Sequence, residues 1–328
     1  MKLFRKQLHP QTPPLKRSGS VQYTTGIMAV ILFAAMLFSP HAVFSGAEEG
    51  LLLWFQIVFP TLFPFMLISS LMLEGGGLGI IAGIFGKVLG KIFSTSQNGS
   101  FAVLCGFLCG YPMGAKVTAD LIRSGRISKE EGEYLLSFCN NTSPVFIMNF
   151  IVWKTLGKRE LMLPTIVILM GTPMIMSFFF RRCYKKEGKT FPQAGAAGPA
   201  SSNRLDFSIF DQCMMDSFEG IVKVGGYIIF FSILIALFDI AGFGPVVFAL
   251  LPTLEITNGI FRIHQAFSDL TVSYPLIVGL TTFGGFCSLA QTQCMIEGTG
   301  LSVTAYFIQK LTAAGAASLL AYLYISML

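Results

Sequence analysis

The chain has 328 residues, 53% of them hydrophobic and 12% charged, with 32 Phe, 15 Met and a mean hydropathy of +0.67. A soluble domain carries about 25% charged residues, so this composition excludes an ordinary water-soluble globule and makes lipid the main solvent. The formal net charge of +6 comes with basic clusters beside apolar runs and no nucleic-acid-binding motif, which excludes nucleic acid as a partner and makes the charge a topology signal.

Residues 1–22 hold Lys2, Arg5, Lys6, Lys16 and Arg17 with no acid, and Pro10, Pro13 and Pro14. They are predicted to be a disordered basic cytoplasmic arm. Residues 23–49 are predicted to be a first transmembrane helix and an external loop. The helix occupies the apolar run at 26–38, continuing weakly to Phe44; the loop, 39–49, lacks Lys and Arg and carries Glu48 and Glu49. Ser45-Gly-Ala47 also resembles a cleavage site, but the long proline-bearing leader favours a retained helix over a signal peptide. Residues 51–73 form the next span, kinked at Pro60 and Pro64. Residues 75–93 are Gly-rich and read as a short span or a surface helix. The stretch 98–115 is apolar but broken by glycine and proline.

Gly125-Arg126 is a turn, and Ser128-Lys-Glu-Glu131 is a capping box opening an amphipathic helix to about Phe138. Asn140-Asn-Thr-Ser-Pro144 stops it, and apolar helices follow at about 145–153 and 161–180. Residues 181–206 are basic, then rich in Gly, Ala, Ser and Pro, and mark a cytoplasmic linker. Residues 207–219 read as an amphipathic surface helix and 220–240 as a span. Leu250-Leu-Pro-Thr-Leu-Glu-Ile-Thr-Asn-Gly259 breaks the next one. Residues 275–298 contain a second glycine break, and 302–327 form a final span.

The halves 50–180 and 207–328 resemble each other weakly. Each opens on Gly (Gly50, Gly220) and a long apolar run, then an Asn-Gly pair (98–99, 258–259), then a glycine break, at 105–115 or 281–293. Charge placement makes the span at 51–73 enter the cytoplasmic side and the span at 220–240 leave it, which is inverted-repeat geometry. A matched pair of interrupted segments points to a transporter's binding site. Non-helical backbone at bilayer depth persists only where protein or a wet cavity satisfies its polar groups.

Candidate binding residues cluster at these breaks. Gly110, Tyr111, Pro112 and Gly114 let backbone approach a ligand. Lys116 follows, with Asp120 and Arg123 on the same helix face; such charges either line a wet cavity or form a solvated ion pair. Asn140, Asn141, Thr142 and Ser143 precede a helix N-terminus, which suits an anion. In the second half Glu255 is a proton or cation coupling site or a structural hydrogen-bond acceptor. Asn258, Gly284, Gly285, Gln291 and Gln293 complete the set. The seven scattered cysteines form no disulfide framework; Cys105 and Cys109 lie one turn apart without further ligands and read as small hydrophobes. No catalytic constellation, metal set or cofactor motif is evident, and His9, His41 and His264 stand apart from the breaks.

Three motifs together, Gly106-Phe-Leu-Cys-Gly-Tyr-Pro-Met-Gly-Ala-Lys116, Phe138-Cys-Asn-Asn-Thr-Ser-Pro144 and Leu254-Glu-Ile-Thr-Asn-Gly259, resemble the YlbJ-like sporulation integral membrane proteins with nucleoside-recognition, or gate, domains. The resemblance covers roughly 50–325, and Phe286-Cys287 departs from the family's pattern. It implies a fold related to concentrative nucleoside transporters and a role in moving dipicolinic acid in a bacterial cell membrane or one around the forespore. The expected architecture is an all-α polytopic transmembrane bundle with two inverted gate-type repeats and broken or re-entrant helices. Its expected partners are the lipid bilayer and a small anionic aromatic solute, with a coupling proton or cation and a homo-oligomer left open. A membrane scaffold and a nucleoside carrier are the alternative functions.

Overall fold

A computed structural model describes residues 19–184 and 207–328 apart from Phe243. The basic arm and the linker therefore lie outside the described residues, except for 19–22 and 181–184, which are helical. Among the described residues there is no strand, and the chain is an all-α polytopic bundle. Among the described residues five segments are long and apolar enough to cross a membrane: Pro40–Glu74, Lys129–Leu156, Arg159–Tyr184, Phe207–Ala241 and Leu270–Met295. They expose apolar side chains over wide stretches, as at Phe55, Ile68, Val167, Phe179 and Val222, which suits a lipid surround.

Helix α1 is Gly19–Phe38. Helix α2 runs through Pro40–Glu74. The expected external loop at 39–49 is thus helical, and only Ser39 separates the two helices. Glu48 and Glu49 suggested a loop, but the chain there carries Ala42, Gly46 and Gly50 at four-residue spacing, all buried. Small residues at that spacing let two helices approach closely. The partner is α9, Phe207–Ala241. A Cβ on Gly50 would come within 2.8 Å of Ile229 Cα, and one on Gly46 within 2.9 Å of Ile233 Cα. Further along, Trp54 Nε1–H donates to Ile221 O at 3.0 Å, and Phe63 meets Phe218 at 4.5 Å between ring centroids. Numbers rise on α2 as they fall on α9, so the two 35-residue helices are antiparallel.

Proline shapes α2. Pro60 has no N–H for the ladder, and the turn before it, Trp54–Val58, widens into π-helix, with Phe59 N–H reaching Trp54 O. The Thr61 hydroxyl donates to Ile57 O at 2.7 Å. On α9 the segment 207–219, expected as a separate surface helix, is continuous with the span.

Helix α3 is Gly77–Phe93. Helices α4, Gly99–Leu108, and α5, Met113–Arg123, pack on each other as a hairpin with its tip at 109–112. Helix α6 is Lys129–Cys139; α7 spans 144–156, mostly as π-helix; α8 is Met162–Tyr184. Ser128 caps α6 by accepting from Glu131 N–H at 3.2 Å. The reciprocal half of the expected capping box is not made: the Glu131 carboxylate instead accepts from Ser96 N–H at 2.7 Å.

The second half has a comparable element order. Helix α10, Pro245–Leu250, a 3-10 turn at Leu251–Thr253 and α11, Ile256–Ala266, precede α12, Leu270–Phe283, α13, Gly285–Met295, and α14, Val303–Ile325. The α5–α6 packing is matched by α11–α12, α6–α8 by α12–α14, and α5–α13 by α11–α7. By element order, then, the hairpin tip at 109–112 corresponds to 254–255, and the interruption at 140–143 corresponds to Gly284. Pairing 105–115 with 281–293 matches a hairpin tip to a broken spanning helix. Two buried apolar clusters result: one joins α2–α6 to α9, α13 and Tyr306 of α14, and the other joins α7, α8, α11, α12 and the later turns of α14.

Candidate functional site

The four interruptions meet in the interior. At the hairpin tip Gly110 has φ +90°, a conformation that favours glycine. A Cβ there would also lie 3.0 Å from Ser143 N. The next side chain crosses to the other half: Tyr111 O–H donates to Thr282 O at 2.8 Å. Its ring lies beside Gly284, φ +86°, where a Cβ would come 3.0 Å from Tyr111 Cζ. Thr142 makes a parallel link, its hydroxyl donating to Thr281 O at 3.1 Å.

Where α6 ends, Asn140 turns extended, and its side chain becomes a hub. Oδ1 accepts from Ala115 N–H at 3.3 Å, and Nδ2 donates to Thr292 Oγ1 and Tyr306 O–H, both at 2.9 Å. Ala115 is in the first turn of α5, where amides lack intrahelical acceptors, so Asn140 caps that helix from outside it. Asn141 Nδ2 donates to Phe138 O at 2.7 Å. Ser143 caps α7, accepting from Phe146 N–H at 3.2 Å. Across the site Glu255 caps α11, one carboxylate oxygen accepting from Thr257 N–H at 3.0 Å and Asn258 N–H at 2.9 Å. Cys287 N–H donates to Leu254 O at 2.9 Å, tying that tip to α13.

Between these elements lies a cavity of about 300 Å³. Gly110, Tyr111, Thr142, Ser143, Glu255, Gly284 and Gln291 line it, with Leu62 of α2, Val224 and Ile228 of α9, and Asn149 of α7. Lys154 stands exposed at its rim, its Nζ 5.7 Å from the Phe150 ring centroid.

Other expected site residues do different work. Gly114 packs on the Cys139 carbonyl. Pro112 is buried behind the tip, Gly285 faces Thr253 O, and Gln293 is exposed. Lys116 belongs to a second cavity of about 490 Å³, where it pairs with Asp120 at 2.7 Å and donates to Ser70 Oγ at 3.2 Å. Arg123 pairs with Asp120 at 3.0 Å and donates to the carbonyls of Met295 and Glu297, each at 2.8 Å. Asp216, Glu219 and Lys223 line the same space. The α5 face is therefore both paired and cavity-lining.

The two cavities are about one helical turn apart on α9 and α13 and about two turns apart on α2. Leu62 and Ser70 bracket Met66 on α2, Val224 and Gly220 are successive turns of α9, and Gln291 and Met295 of α13. Met66 is fully buried, its methyl set against Gly220.

Sequence reading passed over Lys310. It lies on α14 at 3% exposure, donating to Asn140 O at 3.0 Å and Asn141 Oδ1 at 3.5 Å, with Nζ 4.8 Å from the Tyr111 ring centroid. A lone lysine in an apolar span was the available signal. Tyr306, one turn earlier, was missed because a tyrosine in a span is common; Asn149 and Lys154 of α7 were missed beside the more conspicuous 140–143. Among the described residues no three His, Cys, Asp or Glu side chains come together as a metal site.

In comparisons with known proteins the chain is 27% identical over 315 residues to the sporulation integral membrane protein YlbJ of Bacillus subtilis (strain 168), covering 86% of this chain and 77% of that one. The likeness supports a YlbJ-like family. No family model matches the chain, and no solved structure matches it.

Proposed function

We propose that the chain is a carrier of a small anionic solute, dipicolinic acid, in a membrane of a cell forming an endospore, built from two inverted gate-type repeats. The observation that carries this reading is the convergence of interrupted backbone from both halves around one cavity. Irregular backbone at such depth fits a lined cavity, and inverted-repeat carriers bind where broken helices from both halves meet. The antiparallel pairing of α2 with α9 has the relation such repeats require. The likeness to a sporulation membrane protein supports the setting. The N-terminus and the 181–206 linker are then cytoplasmic.

In this reading the N-terminal turn of α7 and Lys154 hold the anion, not Lys116. The helix end offers partial positive charge, and Lys154 offers a full one. The apolar wall from α2 and α9 faces the solute's ring. The Met66–Gly220–Met295 layer separates the two cavities, and rocking one half against the other opens the solute to each side in turn. The chain has no enzymatic role in this scheme.

Labelled dipicolinate uptake by proteoliposomes of the full chain tests the reading. Saturable uptake is expected. Lys154→Ala is expected to raise the half-saturating concentration about tenfold, since a hydrogen bond to a charged group contributes about 1.5–3 kcal/mol. Absence of uptake by the wild type would favour a scaffold that recruits other sporulation proteins, and preferential uptake of a nucleoside would reassign the substrate.

A further inference from the structure

Lys310 is a buried cation with neutral neighbours. None of the ion pairs among the described residues includes it. Lys116, also buried, has Asp120 at 2.7 Å. Lys310 instead has a backbone carbonyl, a side-chain amide oxygen and an aromatic face. A charge this deep is costly without a counter-charge and marks function by default. An ammonium gives three donors, and the three neighbours accept them without any one being an anion. Losing the proton therefore breaks no ion pair.

Position adds to this. Tyr111 has Lys310 close to its ring and also lines the cavity. Asn140 O and Asn141 Oδ1 belong to the interruption at 140–143, and Thr142 and Ser143 of that same interruption line the cavity too. The titratable groups facing Lys310 are Tyr111 from the hairpin tip and Cys139 from α6, with Tyr306 on its own helix. Glu133 of α6 is held by Lys129 at 3.8 Å.

We infer that Lys310 is the proton-coupling group of the carrier: its amine lone pair takes up one proton when an anionic solute enters the cavity before Tyr111, and the N–H bond breaks to return that proton to water when the solute leaves on the far side. This rests on the carrier reading above. The physical link is reciprocity. An anion in the cavity stabilises the nearby ammonium, so the ammonium must favour the anion by the same factor. Solute and proton then move in the same direction. Tyr111 sits between the two, and its bond to Thr282 O fixes that arrangement across the halves.

Proteoliposomes of the full chain, loaded with a pH-sensitive dye and given labelled dipicolinate outside, provide the test. For the wild type, internal acidification is expected to accompany uptake. An inward acid gradient is expected to raise uptake at least about fivefold, the lower end of ordinary coupling factors. Lys310→Met is expected to abolish the dye signal. Lys310→Arg stays charged across the working range, so whatever uptake it retains should no longer respond to the gradient. Wild-type uptake with no proton movement overturns the inference while leaving the carrier intact, and this outcome needs no variant to fold. A proton signal that persists in Lys310→Met, or that is lost in Glu255→Gln while Lys310→Met keeps it, also overturns it. Wild-type liposomes that take up no dipicolinate overturn both readings.

Discussion

Gly106→Ala is expected to leave little or no folded protein in the membrane. A Cβ on Gly106 would overlap the carbonyl oxygen of Cys139 and lie 2.7 Å from its carbonyl carbon. Gly114, on the other leg of the hairpin, presses the same carbonyl oxygen and would come 2.8 Å from Asn140 Cα. The last peptide of α6 is thus held between α4 and α5, where α6 unwinds. A flexible side chain could give way to a methyl group, but this backbone is tied down by the Asn140 bonds to Ala115, Thr292 and Tyr306. Ordinary overpacking costs about 1–3 kcal/mol; overlap with a pinned backbone lies above that range. Gly259→Ala should behave likewise, since its Cβ would overlap Pro252 O in the second hairpin. Gly171→Ala and Gly226→Ala are the controls. Both positions are helical with nothing within 4 Å of an added Cβ, and replacing a mid-helix glycine gains about 0.5–1 kcal/mol. Monodisperse yield in detergent and the melting temperature measure all four. Wild-type values for Gly106→Ala would mean that the hairpin does not clasp α6 in this way.

The clash explains why the breaks were legible in sequence. Glycine and proline at 106–114 and 284–285 interrupt apolar runs in a way that only special backbone or close packing requires, and both occur. Asn140-Asn-Thr-Ser143 was readable because four polar residues inside apolar sequence need partners. What did not read through was the partner of each. Lys116 follows the Tyr-Pro tip closely in sequence, yet a few residues of helix turn it towards Ser70 and Asp120. Glu48 and Glu49 signalled a loop because the small-residue stripe at Ala42, Gly46 and Gly50 gains meaning only opposite α9. Residues 207–219 read as an amphipathic surface helix, though Asp216 and Glu219 line the charged cavity from within a continuous helix. Nor does composition separate a hairpin tip from a broken spanning helix; that distinction lies in which elements pack together.

Asn140→Ala is expected to lower stability by about 3 kcal/mol or more, and to reduce uptake per folded molecule as well. Three buried groups lose a partner together: the Ala115 amide at the start of α5, the Thr292 hydroxyl on α13 and the Tyr306 hydroxyl on α14. Each buried group left unsatisfied costs about 1–3 kcal/mol. The backbone carbonyl that receives Lys310 survives the substitution, so its loss cannot account for the effect. Thr292→Val removes one of the three partners and should cost less, about 1 kcal/mol. The double variant should be less destabilised than the sum of the singles, because the two groups share one bond. Thermal melting of the four proteins in detergent gives the stability terms. Uptake normalised to folded protein gives the rest, since Asn140 is where the first hairpin, the interruption at 140–143 and helices α13 and α14 are fixed to one another. A hub that only stabilised the bundle would leave normalised uptake unchanged in Asn140→Ala. One that sets the register of Tyr111 and Thr142 against Gly284 must lower it, because those residues from opposite halves form the wall of the cavity.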